Sequence, residues 1–441
     1  MEQLQDASCA EEPLRYIRET DVFLSRLQIA VVLVVLFSGC ASTVTNLEKH
    51  LDADAFNLAL DDARGDAHME AYLASLIIAR EAQRDFRFAS PLVSFLAAHG
   101  RIGKHVLKQM ASSTGPVARM AWIALHRSFV PSAKKLDDLF NGPASDVRAA
   151  AAGAWFRDLT KERLIKLAVD KDPDVRRYAI LGLGMLPCNT EAAAVLKDTL
   201  RLDPDAQVRS AAARSGPKLG SDAIDALRSA LHDSNQGVIH SAILGLSKIN
   251  SIDAKAILTD LLSGPMEPVT VLAAAALSGL NDQNGQARFK EALKHKRPAI
   301  RAAALTNLGY SGIKDIRKIK LDFLLDDSPD IILQAAYMLL KDPAAVDTVT
   351  NALKKVMESQ STRIDEARDL LVLLNDSEAI RAVKEALKEE TTKNIVTILS
   401  RISGSTTLKP VFLKLLADKQ NYVRVAAAKA YLYLEPERLT P

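Results

Sequence analysis

A couplet of valine or isoleucine followed four residues later by alanine returns along this chain at nearly fixed intervals. It stands at Val117/Ala121, Val147/Ala151, Val175/Ala179, Val208/Ala212, Val238/Ala242, Val269/Ala273, Ile300/Ala304 and Ile331/Ala335. Successive anchors are 30, 28, 33, 30, 31, 31 and 31 residues apart. Val423/Ala427 is a further clear copy, and two degraded ones lie near Ile364 and Ile395. A four-residue spacing keeps both side chains on one face of a helix, and a period of about 30 residues leaves room for two helices per unit. One such pair has an apolar face that it buries only against neighbours. The array therefore predicts a stack of units rather than a set of separate globular domains.

The stretch Lys171–Leu202 shows how one unit is written. Pro173 and Asp174 open a helix, because proline is tolerated in the first turn and a carboxylate there meets free backbone N–H groups. Val175, Ala179 and Leu183 then form one apolar stripe. Pro187 ends the helix, and Ala193, Leu196 and Leu200 begin a second stripe. Arginine follows the anchor at Arg148, Arg176, Arg209, Arg301 and Arg424. This Asp-x-x-Val-Arg-x-x-Ala flavour resembles the HEAT-like repeats of the phycobilin-lyase type, over roughly residues 100–435. The resemblance implies an all-α superhelical solenoid of about 11–12 helical hairpins, and it specifies fold far more than function. The arginines, set beside acids such as Asp146 and Asp174, are expected to form ladders between adjacent units, since a guanidinium pairs with carboxylates bidentately.

Residues 27–40, LQIAVVLVVLFSGC, carry a different signal. Ile29 to Phe37 is a nine-residue apolar run, too short to span a bilayer but suited to a signal-peptide core. It ends in Phe37-Ser38-Gly39-Cys40, which resembles the lipobox of bacterial lipoproteins, with Phe37 departing from the usual leucine. The resemblance implies cleavage before Cys40 and lipidation of its thiol. The preceding leader carries six acids against three arginines, where a signal peptide wants a positive start. Val22 is therefore the candidate true start. The expected organisation is a signal peptide over 1–39, a lipidated tether over 40–45, atypical N-terminal helical units over 46–112, the repeat array over 113–435 and a tail over 436–441. In the atypical part, helices are expected near 46–62, 65–84 and 90–99. Ala41 after the cysteine implies an outer-membrane destination facing the periplasm in a two-membrane cell.

Chemistry is sparse. The net charge of +3 gives no basic stripe of the kind that grips nucleic acid, so none is expected as a partner. The eight histidines are scattered and form no repeated His-Glu pairs, so no metal or other cofactor is expected. Cys188 is the one thiol remaining beyond Cys40, and an inert, partly buried state is expected for it.

The second helix of each pair should line the concave face of a solenoid. Counting from the anchors places Arg177, Tyr178, His240, Leu244, Val271, Leu272, Leu333 and Tyr337 on that face, as candidate partner-binding residues. The helix VTVLAAAALSGL (269–280) is apolar all round, which suggests an apolar groove there. Stacked helices about 10 Å apart give a long dimension on the order of 100 Å. The last helix, near Asn421 to Leu434, presents Tyr431, Leu432 and Tyr433 with no following pair, so either another molecule or residues 436–441 are expected to cover it. The function expected is a non-enzymatic, lipid-anchored scaffold that binds a protein partner at an envelope membrane. The alternatives are an enzyme or chaperone like the phycobilin lyases, or a carrier of a hydrophobic peptide or acyl ligand.

Overall fold

The computed structural model describes residues 41–434 except 53, 85–88, 99, 129, 188–189, 220–222, 250, 360 and 390–391. Cys40, the leader, Cys188 and the tail 436–441 lie outside the described residues. The described chain forms twenty-six α-helices and no strand.

The sequence signals that open each unit act as expected. In Pro173–Leu183 the side chain of Asp172 caps the helix, accepting from the N–H groups of Asp174 and Val175, with Pro173 in the first turn. Asp205 does the same for Ala206–Arg214. The anchors Val147, Val175, Val208, Val238, Ile300, Ile331 and Val423 are all buried, and so are the alanines four residues beyond them. Small residues set how closely the units approach. A methyl group added at Gly182 would come within 2.5 Å of the Phe156 carbonyl oxygen and 2.6 Å of Leu164, so glycine is what lets these turns of helix meet.

The helices make two layers. After α1 (Ala41–Asp52) and α2 (Phe56–Ala63), one layer runs α3 (Ala67–Arg84), α4 (Ala89–Ala98), α6 (Pro116–Leu125), α8 (Ser145–Trp155), α10 (Pro173–Leu183), α12 (Ala206–Arg214) and α14 (Gln236–Ile249). It continues through α16 (Pro268–Gly279), α18 (Pro298–Asn307), α20 (Pro329–Leu339), α22 (Ile364–Leu373), α24 (Thr392–Arg401) and α26 (Asn421–Leu432). The other layer holds α5 (Gly100–Ala111), α7 (Ala133–Phe140), α9 (Lys161–Leu167), α11 (Thr190–Leu202), α13 (Ala223–Ala230) and α15 (Ile252–Asp260). It ends with α17 (Gln283–Leu293), α19 (Ile316–Asp322), α21 (Val346–Glu358), α23 (Ser377–Glu389) and α25 (Lys409–Leu415). Successive helices of the first layer pack closely on one another, whereas those of the second touch each other far less. The close-packed layer is the inner, concave one, and the splayed layer is the outer.

The array does not stay open. Helix α26 packs along α3, as every inner helix packs on the next, so the thirteen helices of the inner layer return on themselves. The extended rod of about 100 Å is thereby replaced by a closed superhelix. Thirteen steps of about 10 Å give a circuit of roughly 130 Å along the inner helix axes. The last helix has a partner that the sequence did not name. It is the N-terminal region of the same chain, which leaves Tyr431 and Leu432 buried and Tyr433 half exposed.

Two further expectations change at the N-terminus. The segment 41–45 begins α1 instead of forming an irregular tether. The helix expected over 46–62 is two helices, broken where Asp54 takes a left-handed backbone conformation. The weakened stripes after Asp342 have a structural counterpart: α20, α22 and α24 pack less closely than the inner helices before them. A carboxylate sits in that seam, because Asp369 is buried and accepts a 3.2 Å hydrogen bond from Arg401 Nη1.

Candidate functional site

The repeated arginines are consumed by the architecture. Arg148 holds Asp170 through Nε and Nη2, both at 2.9 Å, while its Nη1 donates to the carbonyls of Gly142 and Pro143. Arg176 repeats this with Asp203 at 2.8 and 3.0 Å, Arg209 with Asp233 at 2.8 and 2.9 Å, and Arg301 with Asp326 at 2.8 and 2.7 Å. The ladder exists, but its acids are not Asp146 and Asp174. They are the turn acids of the following unit. Each of these turn acids also accepts from a backbone N–H two residues on, which fixes the turn before the next inner helix. Hydrogen bonding to the Arg209 guanidinium holds the Asp233 carboxyl below the ordinary carboxylate range.

The inner-face candidates separate into two groups. Val271, Leu272 and Leu333 are core residues, only 0, 2 and 4% exposed. The uniformly apolar helix α16 is buried from Thr270 to Ser278, so among the described residues it lines no open groove. Its neighbours close over it: His240 of α14 and Tyr310, just beyond α18, place their rings 6.4 Å apart, edge to face. Desolvation, followed by the nearby charge of Arg214, lowers the pKa of His240 from the ordinary histidine value. Leu244 is half-buried.

Arg177, Tyr178 and Tyr337 remain accessible. Tyr337 is 71% exposed. Arg177 donates to Asp174 at 2.8 Å and lies 4.4 Å from the centroid of the Tyr178 ring. One unit back, Arg157 sits 5.5 Å from the Phe156 ring, and the Phe156 and Tyr178 rings are 5.8 Å apart. Two cation–aromatic pairs thus run side by side across adjacent units. Arg157 and Phe156 lie just past the helix end, outside the positions counted from the anchors, so the counting missed them.

A second accessible place lies at the seam between α3 and α26. A shallow cleft with room for about one water molecule, open to solvent, is lined there by Phe56, Arg80, Glu81, Arg84, Asn421 and Arg424. No sequence signal pointed to it, since its walls come from opposite ends of the chain. Among the described residues, no cluster of three His, Cys, Asp or Glu side chains is placed to hold a metal, and no helix is long and apolar enough to cross a membrane.

Comparison with known proteins agrees with this architecture. Residues 133–217 and 203–280 match the family of HEAT repeats. The chain is an all-α solenoid of HEAT-like helical pairs. No curated protein matches it. Among solved structures, YibA of Escherichia coli is 19% identical, with 63% of this chain and 98% of YibA covered and a TM-score of 0.33. The complex of CpcE and CpcF of phycocyanin lyase from Nostoc is 21% identical over 49% of this chain and 94% of that one, with a TM-score of 0.31. An engineered protein is 18% identical over 74% and 97%, with a TM-score of 0.27.

Proposed function

We propose that the protein is a non-enzymatic scaffold whose inner face binds a protein partner, held at a membrane of the cell envelope by lipid on Cys40. The observation that carries the binding part is the paired Arg157–Phe156 and Arg177–Tyr178 surface. The ladder arginines and apolar stripes are spent on joining units, whereas these four side chains stay at least partly exposed. Arginine and tyrosine are the residue types that most often anchor protein interfaces, because each offers a large contact area together with a polar edge. Tyr337 adds a further exposed ring on the same layer. The membrane part rests on the apolar run ending at Phe37-Ser38-Gly39-Cys40.

Photo-crosslinking in envelope preparations tests the reading. A benzoylphenylalanine placed at Tyr178 or Tyr337 is expected to trap one and the same protein. The same probe at Ile252 on the outer layer, 86% exposed, is expected to trap none of it. Capture from Ile252 alone would overturn the inner-face assignment.

A further inference from the structure

The inner layer is sorted by charge. With about 3.6 residues per turn, positions two, three, six, nine and ten after each anchor share the helix face opposite the buried couplet, which is the concave face. Over the eleven anchors from Val117 to Val423, ten of these positions carry lysine or arginine and one carries an acid, Glu366. The whole chain has 57 basic and 54 acidic residues, so its small net charge hides a segregation of sign. Glu366 is itself paired with Arg363. Six of the ten cations, Arg119, Arg127, Arg157, Arg214, Lys248 and Lys341, are exposed, and among the described residues none of the six is held in an ion pair. Of the acids adjoining the counted positions in sequence, Asp342 pairs with Arg317, Asp365 with Arg368 and Asp369 with Arg401, which leaves Asp158. Four of the six cations stand at helix C-terminal ends, where a dipole of about half a negative charge offsets only part of each. A positive surplus remains.

We propose that the concave face from α6 to α14 takes an extended acidic segment of a partner protein, its carboxylates lying on this row of cations. The proposal rests on the inner-face reading above and names the chemistry of what binds there. A flat bilayer does not reach the inside of a closed superhelix. Spacing separates the remaining polyanions. Inner helices follow one another at about 10 Å, and from α6 to α14 each carries at least one of the cations. An extended peptide advances about 3.3 Å per residue, so an acid at every third position meets the row in register. A duplex strand of nucleic acid brings a phosphate about every 3.4 Å, about three for each step of the row. Two of the rings that would stack bases are already engaged, Tyr178 by Arg177 and Phe156 by Arg157. Charge, shape and spacing together favour the acidic peptide.

The test titrates the whole chain with a fluorescein-labelled peptide of Glu-Ser-Gly repeats, about 20 residues long, and reads anisotropy. The comparison probes are a Gln-Ser-Gly peptide, a peptide of the first composition with its acids gathered at one end, and a thymidine oligonucleotide. Saturable binding of the spaced acidic peptide is expected, about fivefold tighter than the gathered one and weakening as salt shortens the screening length below about 10 Å. The triple variant Arg157→Glu, Arg214→Glu, Lys248→Glu is expected to weaken it by about tenfold or more. Lys290→Glu, Lys294→Glu and Lys318→Glu together, on the exposed outer layer, are expected to change it by less than about twofold. If the inner triple variant fails to fold, Arg157→Glu alone is expected to cost about threefold. Equal binding of the Gln peptide or of the gathered peptide, an outer-layer effect as large as the inner one, or tighter binding of the oligonucleotide would each overturn the proposal. If crosslinking from Tyr178 traps a protein from the inner triple variant as it does from the unaltered chain, the acidic partner is refuted while the inner-face reading stands.

Discussion

The Tyr431 hydroxyl donates a 2.9 Å hydrogen bond to Glu70 Oε2 across 361 residues of sequence. Both residues are buried, at 0 and 5% exposure, and Glu70 accepts through Oε1 from the N–H of Gly65. Lys409 approaches the same carboxylate at 3.7 Å. A glutamate taken out of water is tolerated only when its oxygens find donors, so this pair depends on the two ends being together. The apolar part of the seam is supplied by Tyr431 itself and by the edge-to-face contact of Phe95 with Tyr433, whose centroids are 5.3 Å apart.

Opening the seam should therefore be possible with one residue. Tyr431→Ala removes a fully buried ring and leaves Glu70 without its hydroxyl donor, a loss of about 3–5 kcal/mol. Small-angle scattering is expected to show a larger radius of gyration, with helix content by circular dichroism nearly unchanged. An unchanged radius would mean that α3 and α26 hold together without this contact.

The ladder gives a pH-dependent prediction. Asp233 has its folded-state pKa lowered by Arg209, so it stabilises the fold above the ordinary carboxylate pKa and ceases to do so as pH falls through the lowered value. Asp233→Asn is expected to cost about 2–3 kcal/mol in urea unfolding at pH 7, as for loss of a charged hydrogen-bond partner. At strongly acid pH, where the native aspartate is itself protonated, the two proteins should converge. Equal stability at pH 7 would remove the ladder from the forces that join units.

Asp369 runs the other way. Burial pushes its carboxyl up to about 6, against the opposing pull of Arg401 and Arg368, and its Oδ1 is buried without a partner. An acid with a raised folded-state pKa contributes stability that is fully present below its unfolded value near 4. That contribution is lost as pH rises through about 6. Asp369→Asn is accordingly expected to make the protein more stable at pH 7.5, by up to about 3 kcal/mol, and to change little at pH 4. Denaturation midpoints at the two pH values check this; a variant destabilised at pH 7.5 contradicts it.

The proposed lipid anchor has its own test. Cys40→Ser is expected to give a precursor that incorporates no labelled palmitate and is not cleaved before position 40. Normal labelling would end the lipobox reading.

The repeat register was legible because it is local and periodic. Val175 and Ala179, or Val208 and Ala212, are four residues apart and the seam they fill is the adjacent unit, so spacing alone placed them in the core. The closure leaves no such trace. It joins 67–84 to 421–432, and nothing periodic connects those segments. The one hint was in α3 itself, where Glu70 and Glu81 flank the apolar run Tyr72–Ala79 and twelve of the eighteen residues of the helix are buried. A helix apolar all round, with isolated acids inside it, has neighbours on more than one side. The same reasoning applied to α16 would have put Val271 and Leu272 in the core. The inner face was misjudged there because the helices on either side pack closely on α16 and bury Val271 and Leu272.

A closed array has a leverage that an open one lacks. A full turn shared among thirteen inner helices is roughly 28° per step, and the last step must arrive where the first began. At a radius of about 20 Å, set by helices about 10 Å apart, a change of 1° at every step would part the ends by roughly 5 Å. That exceeds the 2.9 Å separating Tyr431 from Glu70. A partner that flexes each unit imperceptibly can thus unlatch the hoop at one distant point.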